Sequence, residues 1–377
     1  MILKEAKKHL VGGVNSPIRS FKYVEREPIL IKKGKAARVY DYDGNSYIDY
    51  VLSYGALILG HAHPSVVKDV KSALGNGFSF GATNLKEIEL ARLIKKAIPF
   101  IDKLRFVNSG SEAVLGATHL ARGYTGRNRI LKLKNAYHGH AEYLLDEVSK
   151  ESVEGIFKKH GRNIAGVIVE PVGGNHGVVL PDRDFLKRLR ALTKKYGSLL
   201  IFDEVIAGFR FRFGSIASIL GIKPDLICLG KIIGGGLPIG AYGGRNEIMN
   251  KLAPLGTVHQ GSTFAGNPIV MSSGIAALKA LFLKRYEFLE DLTEKLTSHI
   301  RKEAAKHRID LQVVAYKTIF SIRFKKRKQF QTFYKRLLGK GIYFAPSENE
   351  ANFLSFSHTK KDIDETIDTI REAFERL

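Results

Sequence analysis

Between residues 85 and 245 the chain alternates short apolar runs with amphipathic stretches. The apolar runs fall at 104–108, 129–133, 166–170, 199–203 and 226–230. Their near-continuous hydrophobicity predicts strands buried on both faces. The stretches 85–98, 111–122 and 183–196 carry apolar residues at helical spacing. This alternation predicts an α/β layer structure with a mostly parallel sheet. Before it, Asp41-Tyr42-Asp43-Gly44-Asn45 predicts a hairpin turn. After about residue 275 helices dominate, with strands expected near 311–324 and 353–357, a second unit of α+β type. The expected organisation is an N-terminal segment over 1–50, a large domain over 51–272 and a small C-terminal domain over 273–377.

Composition adds limits. The chain has 377 residues, enough for two cores. With 44% hydrophobic and 26% charged residues it reads as globular, not disordered. No apolar run reaches the ~18 residues of a membrane helix. The first ten residues lack the apolar segment of a signal peptide. The lone cysteine, Cys228, lies in the apolar run 226–230, where burial is the expected fate. Cytoplasmic location is the resulting expectation. The formal charge of +23 raises nucleic acid as a partner, with Arg323 to Arg336 as the densest basic cluster. Phe330, Phe333 and Leu337 within it recur at helical spacing, however, which predicts aromatics facing a core and lysines left in water. Nucleic-acid binding on a vestigial enzyme fold is therefore the weakest reading.

In open parallel sheets, ligands bind beyond the carboxyl ends of strands. Asn108, Glu170, Asp203 and Lys231 all follow predicted strands. Lys231 is the only charge in Leu226-Ile-Cys-Leu-Gly-Lys-Ile-Ile-Gly-Gly-Gly236. Burial there disfavours the ammonium and prepares an amine for covalent chemistry, unless the side chain snorkels from a strand edge. Asp203 ends another strand and suits a pyridinium nitrogen, or else caps a helix. Asn108-Ser-Gly-Ser-Glu-Ala113 follows a strand and opens a helix, so it fits a phosphate cradle or a plain N-cap equally. Tyr137-His-Gly-His140 offers an aromatic face for stacking, or a loop tyrosine. Thr263 either donates to a phosphate or caps the helix expected near Pro268. Paired histidines at 61/63 and 138/140 lack completing ligands, so no metal is expected.

Taken together these motifs resemble the class III aminotransferases, pyridoxal-phosphate enzymes of fold type I. The similarity runs from Gly12 to about Asp364. It is carried by Gly12-Gly-Val-Asn-Ser-Pro-Ile-Arg19, Asn108 to Ala113, Tyr137 to His140, Glu170-Pro-Val172, Asp203-Glu-Val205, Leu229 to Gly236, and Ala345-Pro-Ser347 with Glu350. The resemblance implies a large domain with a central, mostly parallel seven-stranded sheet and a smaller α+β domain. It implies pyridoxal phosphate held covalently by Lys231, which would also shuttle protons. Asp203 would meet the ring nitrogen, with Val205 beneath the ring and Tyr137 above. Gly110 and Ser111 would hold the phosphate, joined by Thr263 from a neighbouring subunit, which implies a homodimer. Glu170 and Asn175 would lie near the ring hydroxyl. Ser16, Arg19 and Glu350 match substrate contacts.

Two departures bear on the reaction. Where the family has a long loop over the active site, this chain has only the charged segment 142–163, and a second insertion is reduced between Ile319 and Tyr343. Ser111 replaces a usual threonine, which keeps the hydroxyl. Ser16, Arg19 and Glu350 point to an aminomutase that moves an amine within one short oxo-acid. The short loop points instead to an intermolecular transaminase acting on another oxo compound, such as an amino-sugar precursor.

Overall fold

The computed structural model describes residues 2–141 and 144–377. Its centre is a seven-stranded sheet: β1 (Lys103–Val107), β2 (Arg129–Leu133), β3 (Asp146–Val148), β4 (Ile164–Val169), β5 (Leu199–Asp203), β6 (Leu226–Gly230) and β7 (Gly240–Gly244). The order across the sheet is β1-β7-β6-β5-β4-β2-β3. β7 runs antiparallel to both neighbours, and the other pairings are parallel. The five strands expected from apolar runs are all present, within two residues at each end. β3 and β7 are additions.

Side-chain alternation explains why both faces are apolar. Ile168 and Ile201 face one side, where helix Gly110–Thr125 packs with Ala113, Val114, Ala117 and Leu120. Val167, Val169, Leu200 and Phe202 face the other, against Phe185, Leu186 and Leu189 of helix Arg183–Tyr196. Cys228 is fully buried in the first of these layers, and burial pushes its thiol pKa up. Every parallel strand therefore ends at one common edge, and that edge carries the site.

The C-terminal part is built from a three-stranded antiparallel sheet (Leu311–Tyr316, Ile319–Phe324, Asn352–Phe353) and helices Tyr286–Lys306, Arg327–Gly339 and Lys360–Phe374. Phe330, Phe333 and Leu337 of the basic segment are buried there, while Lys325, Lys326 and Lys328 stay exposed. The hairpin at Asp41–Asn45 joins Arg38–Asp41 to Ser46–Asp49, and Asp41 Oδ1 accepts from the Asn45 and Asp43 amides. Ser46–Asp49 pairs in parallel with Ile342–Tyr343, which ties the N-terminal segment to the C-terminal part. No helix among the described residues is long and apolar enough to cross a membrane.

Candidate active site

A cleft of about 570 Å³ opens at the carboxyl edge of the sheet. Among the residues proposed from sequence, it brings together Arg19, Gly110, Ser111, Tyr137, Glu170, Asn175, Asp203, Val205 and Lys231. Ser53 and His138 also line it. Ser16, Thr263 and Glu350 are not on its wall.

Lys231 is the first residue after β6. Its backbone sits at φ +47°, a left-handed conformation that costs about 1 kcal/mol for a residue with a side chain. Turning there, not continuing the strand, sends Nζ into the cleft, where it donates to the Tyr54 carbonyl at 2.8 Å. Burial brings its pKa down to about 8; the carboxylates of Glu350, Glu170 and Asp203 oppose that shift without cancelling it. At neutral pH a usable fraction of the amine is unprotonated, which an ordinary lysine does not offer.

Asp203 ends β5 and is buried. Its Oδ2 accepts from His138 Nδ1 at 2.7 Å and Oδ1 accepts from the Val205 amide at 3.1 Å. Two donors hold the carboxylate in one orientation. The next residue, Glu204, points away from the cleft and accepts from Ser215 Oγ at 2.6 Å and the Ile216 amide at 3.0 Å. Adjacent carboxylates on one strand end thus divide the work: one faces the cleft and the other anchors the following loop.

The floor is made by close backbone approach. A Cβ on Gly110 would lie 2.7 Å from Val205 Cγ1, so only glycine lets helix Gly110–Thr125 start this near the β5 end. Ser109 caps that helix by accepting from the Glu112 amide at 3.1 Å, and the first-turn N–H groups of Gly110 and Ser111 remain for an anion. The capping reading therefore holds for Ser109, while the amides of its two neighbours stay available for the cradle reading. Ser111 Oγ accepts from the His140 amide at 3.3 Å, joining the cradle to the Tyr137–His140 turn.

Glu170 follows β4 and accepts from Asn175 Nδ2 at 2.8 Å and from the Tyr137 amide at 3.2 Å. Burial, reinforced by Asp203 and moderated by His138, raises its pKa to about 7. Glu350 behaves likewise: burial raises it to about 7 while Lys231 pulls it down. Arg19 is exposed at the cleft mouth. Ser16 lines an adjoining groove with Tyr23, Arg327 and Ser347. Thr263 is exposed between Ser262, which is held by Asn108 and Glu112, and Phe264, which is 62% exposed.

Three contributors lay outside the residues proposed from sequence. His138 stood in the quoted motif, but as part of an aromatic turn and not as the partner of Asp203. Tyr54 acts through its carbonyl, a group no side-chain pattern reveals. Arg210 is fully buried in the run Ala207-Gly-Phe-Arg-Phe-Arg-Phe213, where a charge flanked by phenylalanines was the available signal. His61, by contrast, is taken up by Asp49 at 2.7 Å.

A profile of the class-III aminotransferases matches residues 21–151 and 144–374. The chain belongs to the class-III aminotransferase family. It is accordingly a pyridoxal-phosphate-dependent enzyme. It is 44% identical to the glutamate-1-semialdehyde 2,1-aminomutase of Persephonella marina, over 100% of this chain and 98% of that protein. Identity to the protein of the same name from Aquifex aeolicus is 45%, covering 100% and 99%. A solved transaminase with PLP bound superposes with a TM-score of 0.93 at 26% identity, covering 100% of this chain and 96% of that one. The Persephonella alignment runs over 422 positions against a chain of 377, so the relative carries segments that this one lacks. The two profile matches meet at 144–151, inside the short segment 142–163, whose residues 142 and 143 lie outside the described residues.

Proposed function

We propose that this enzyme is a glutamate-1-semialdehyde 2,1-aminomutase, moving the amine within its substrate to give 5-aminolevulinate. The observation that carries the proposal is the lowered-pKa Lys231 facing Asp203 and the Gly110–Ser111 cradle in one cleft. Full-length identity to two aminomutases supports it.

The residues present fit pyridoxal phosphate. The Gly110–Val205 approach leaves a flat floor, and the first-turn amides suit a dianion. Asp203 offers a held carboxylate, and Lys231 an amine with reduced proton affinity. Gly110 and Ser111 would take the phosphate, Asp203 the ring nitrogen, Val205 and Tyr137 the two faces, and Glu170 with Asn175 the hydroxyl side. The bound cofactor supplies a carbonyl that takes up amines and a ring that withdraws electrons. Lys231 Nζ holds and returns the proton moved during transfer. Asp203 keeps a fixed negative charge toward the ring, oriented by His138 Nδ1–H. Arg19 presents a guanidinium to a substrate carboxylate. Cytoplasmic location belongs to the same proposal.

The test is product analysis with glutamate-1-semialdehyde, with and without an added oxo-acid acceptor. Formation of 5-aminolevulinate independent of acceptor supports the mutase; none above a Lys231→Ala control rejects it. The short 142–163 segment favours a second reading, an intermolecular transaminase. Strict dependence on an external donor or acceptor identifies that one.

The rate at which cofactor-free protein takes up pyridoxal phosphate should rise with pH as Lys231 loses its proton, with a midpoint near 8. Glu350 raises the Lys231 pKa, so Glu350→Gln should move that limb to lower pH. A pH–rate profile unmoved, or moved upward, contradicts the assignment. Gly110→Ala forces Val205 or the helix to shift, and the cofactor affinity should fall about tenfold, as for ~1–2 kcal/mol of overpacking. Equilibrium titration of the apoenzyme measures it.

We further propose a homodimer in which Thr263 serves the neighbouring site. It sits away from its own chain's cleft, on a surface that also exposes Phe264 and Leu255. Mixing inactive Lys231→Ala with weakened Thr263→Ala protein should regenerate one intact site per mixed dimer and restore activity. No gain over the unmixed variants opposes an exchange across subunits.

A further inference from the structure

Leu52, Ser53, Tyr54 and Gly55 run consecutively at φ +47°, +53°, +55° and +89°. Three of the four have side chains, each disfavoured there, so this left-handed turn persists only because its surroundings hold it. At its start, Asp49 Oδ1 accepts from the Val51 and Leu52 amides at 2.8 and 3.0 Å. At its end, the guanidinium of Arg210 donates to the Gly55 carbonyl through Nη2 and to the Leu354 carbonyl at 2.8 Å through Nη1. Within it, the Tyr54 carbonyl accepts from Lys231 Nζ.

Arg210 is an unusual clamp. It is fully buried, and among the described residues it pairs with no carboxylate and leaves Nε without a partner. Phe353 lies under the guanidinium, 5.4 Å from its centre, and also touches Gly55, where a Cβ would come within 2.7 Å of the ring. Burial brings the Arg210 pKa down to about 9, so holding the charge there is costly. A buried cation used only for packing is replaceable by an apolar residue; one that grips two carbonyls of a strained turn has a geometric task.

We propose that Arg210 is a positioning residue, which pins the left-handed turn so that the Tyr54 carbonyl holds the Lys231 amine at its place in the cleft. The inference rests on Lys231 being the working amine of the site, but its test does not need the cofactor. In cofactor-free protein, two quantities are measured: amide exchange over residues 52–57, and the rate at which an acylating reagent labels Lys231, read by peptide mass spectrometry across pH. Arg210→Lys keeps the charge and loses the two-pronged grip. It should speed exchange in the turn about tenfold while leaving β5 unchanged, and shift the Lys231 labelling profile. Adding Ser53→Gly, which removes one left-handed penalty, should bring both back toward wild type. Faster exchange with unchanged labelling overturns the proposal, because Arg210 is then structural only. No change in either overturns it as well. Should Arg210→Lys not fold, Phe353→Leu weakens the same clamp and should move both readouts in the same direction; labelling unmoved by it also overturns the proposal. Wild-type protein that fails to take up pyridoxal phosphate refutes the proposed function and leaves these outcomes interpretable.

Discussion

Lys231→Ala should lower turnover by at least about 10²–10⁴-fold, the range lost when a positioned proton-transfer group is removed. It should also abolish the stable yellow colour of the protein. Lys231→Arg should do the same despite keeping the positive charge, because a guanidinium does not supply the free primary amine that the cofactor takes up. That pair separates a need for charge from a need for a free amine. The loss should not come from unfolding. Lys231 has a pKa of about 8 in the folded protein against 10.5 for an ordinary lysine. Between those values the unfolded chain binds more protons, so this group's contribution to stability rises with pH across that window. Below pH 8 the folded state carries the full penalty of a buried ammonium. In cofactor-free protein, removing it should therefore leave the melting temperature at pH 7 equal or higher, and should flatten the rise toward pH 10. Activity within tenfold of wild type, or a collapsed melting temperature, contradicts the assignment.

Asp203→Asn should cost about 10²–10³-fold in kcat, similar to losing one fixed electrostatic contact in an excluded site. The substitution keeps size and shape but removes the negative charge that His138 Nδ1 and the Val205 amide hold in place. The carboxylate is built into the strand end, so Asp203→Glu should not restore the rate: a longer side chain displaces the oxygen that His138 orients. His138→Ala should fall between wild type and Asp203→Asn, since the charge survives while its orientation loosens. Cofactor affinity should weaken in the same order. An asparagine variant within about threefold of wild type sets aside Asp203 as the ring partner.

The parallel strands were legible because burial on both faces demands continuous hydrophobicity, and 164–169, 199–203 and 226–230 come nearest to it. β7 was not. Its Gly-Ala-Tyr-Gly-Gly sequence reads as a turn, yet each terminal glycine is required by crowding. A Cβ on Gly240 would lie 2.0 Å from the Ser109 carbonyl oxygen, and one on Gly244 2.3 Å from that of Asp225. Edge strand β3, three residues with two acidic side chains exposed, carries too little apolar surface to register. Within the site, Lys231 and Asp203 announced themselves as charges ending apolar runs. His138 did not, because the contact that defines it spans 65 residues of chain. The Leu52–Gly55 turn was equally hidden: nothing in Leu-Ser-Tyr-Gly marks three left-handed residues, since tertiary contacts impose that conformation. Arg210 shows the same limit. Its charge was visible in the sequence, but the carbonyls it grips come from residues 55 and 354.

Borohydride reduction of the cofactor-loaded protein, followed by peptide mapping, addresses the central assignment most directly. The account predicts a single reduced cofactor adduct, on the peptide containing Lys231, and none in Lys231→Ala protein. An adduct on another lysine, or no adduct in a protein that has taken up pyridoxal phosphate, contradicts it.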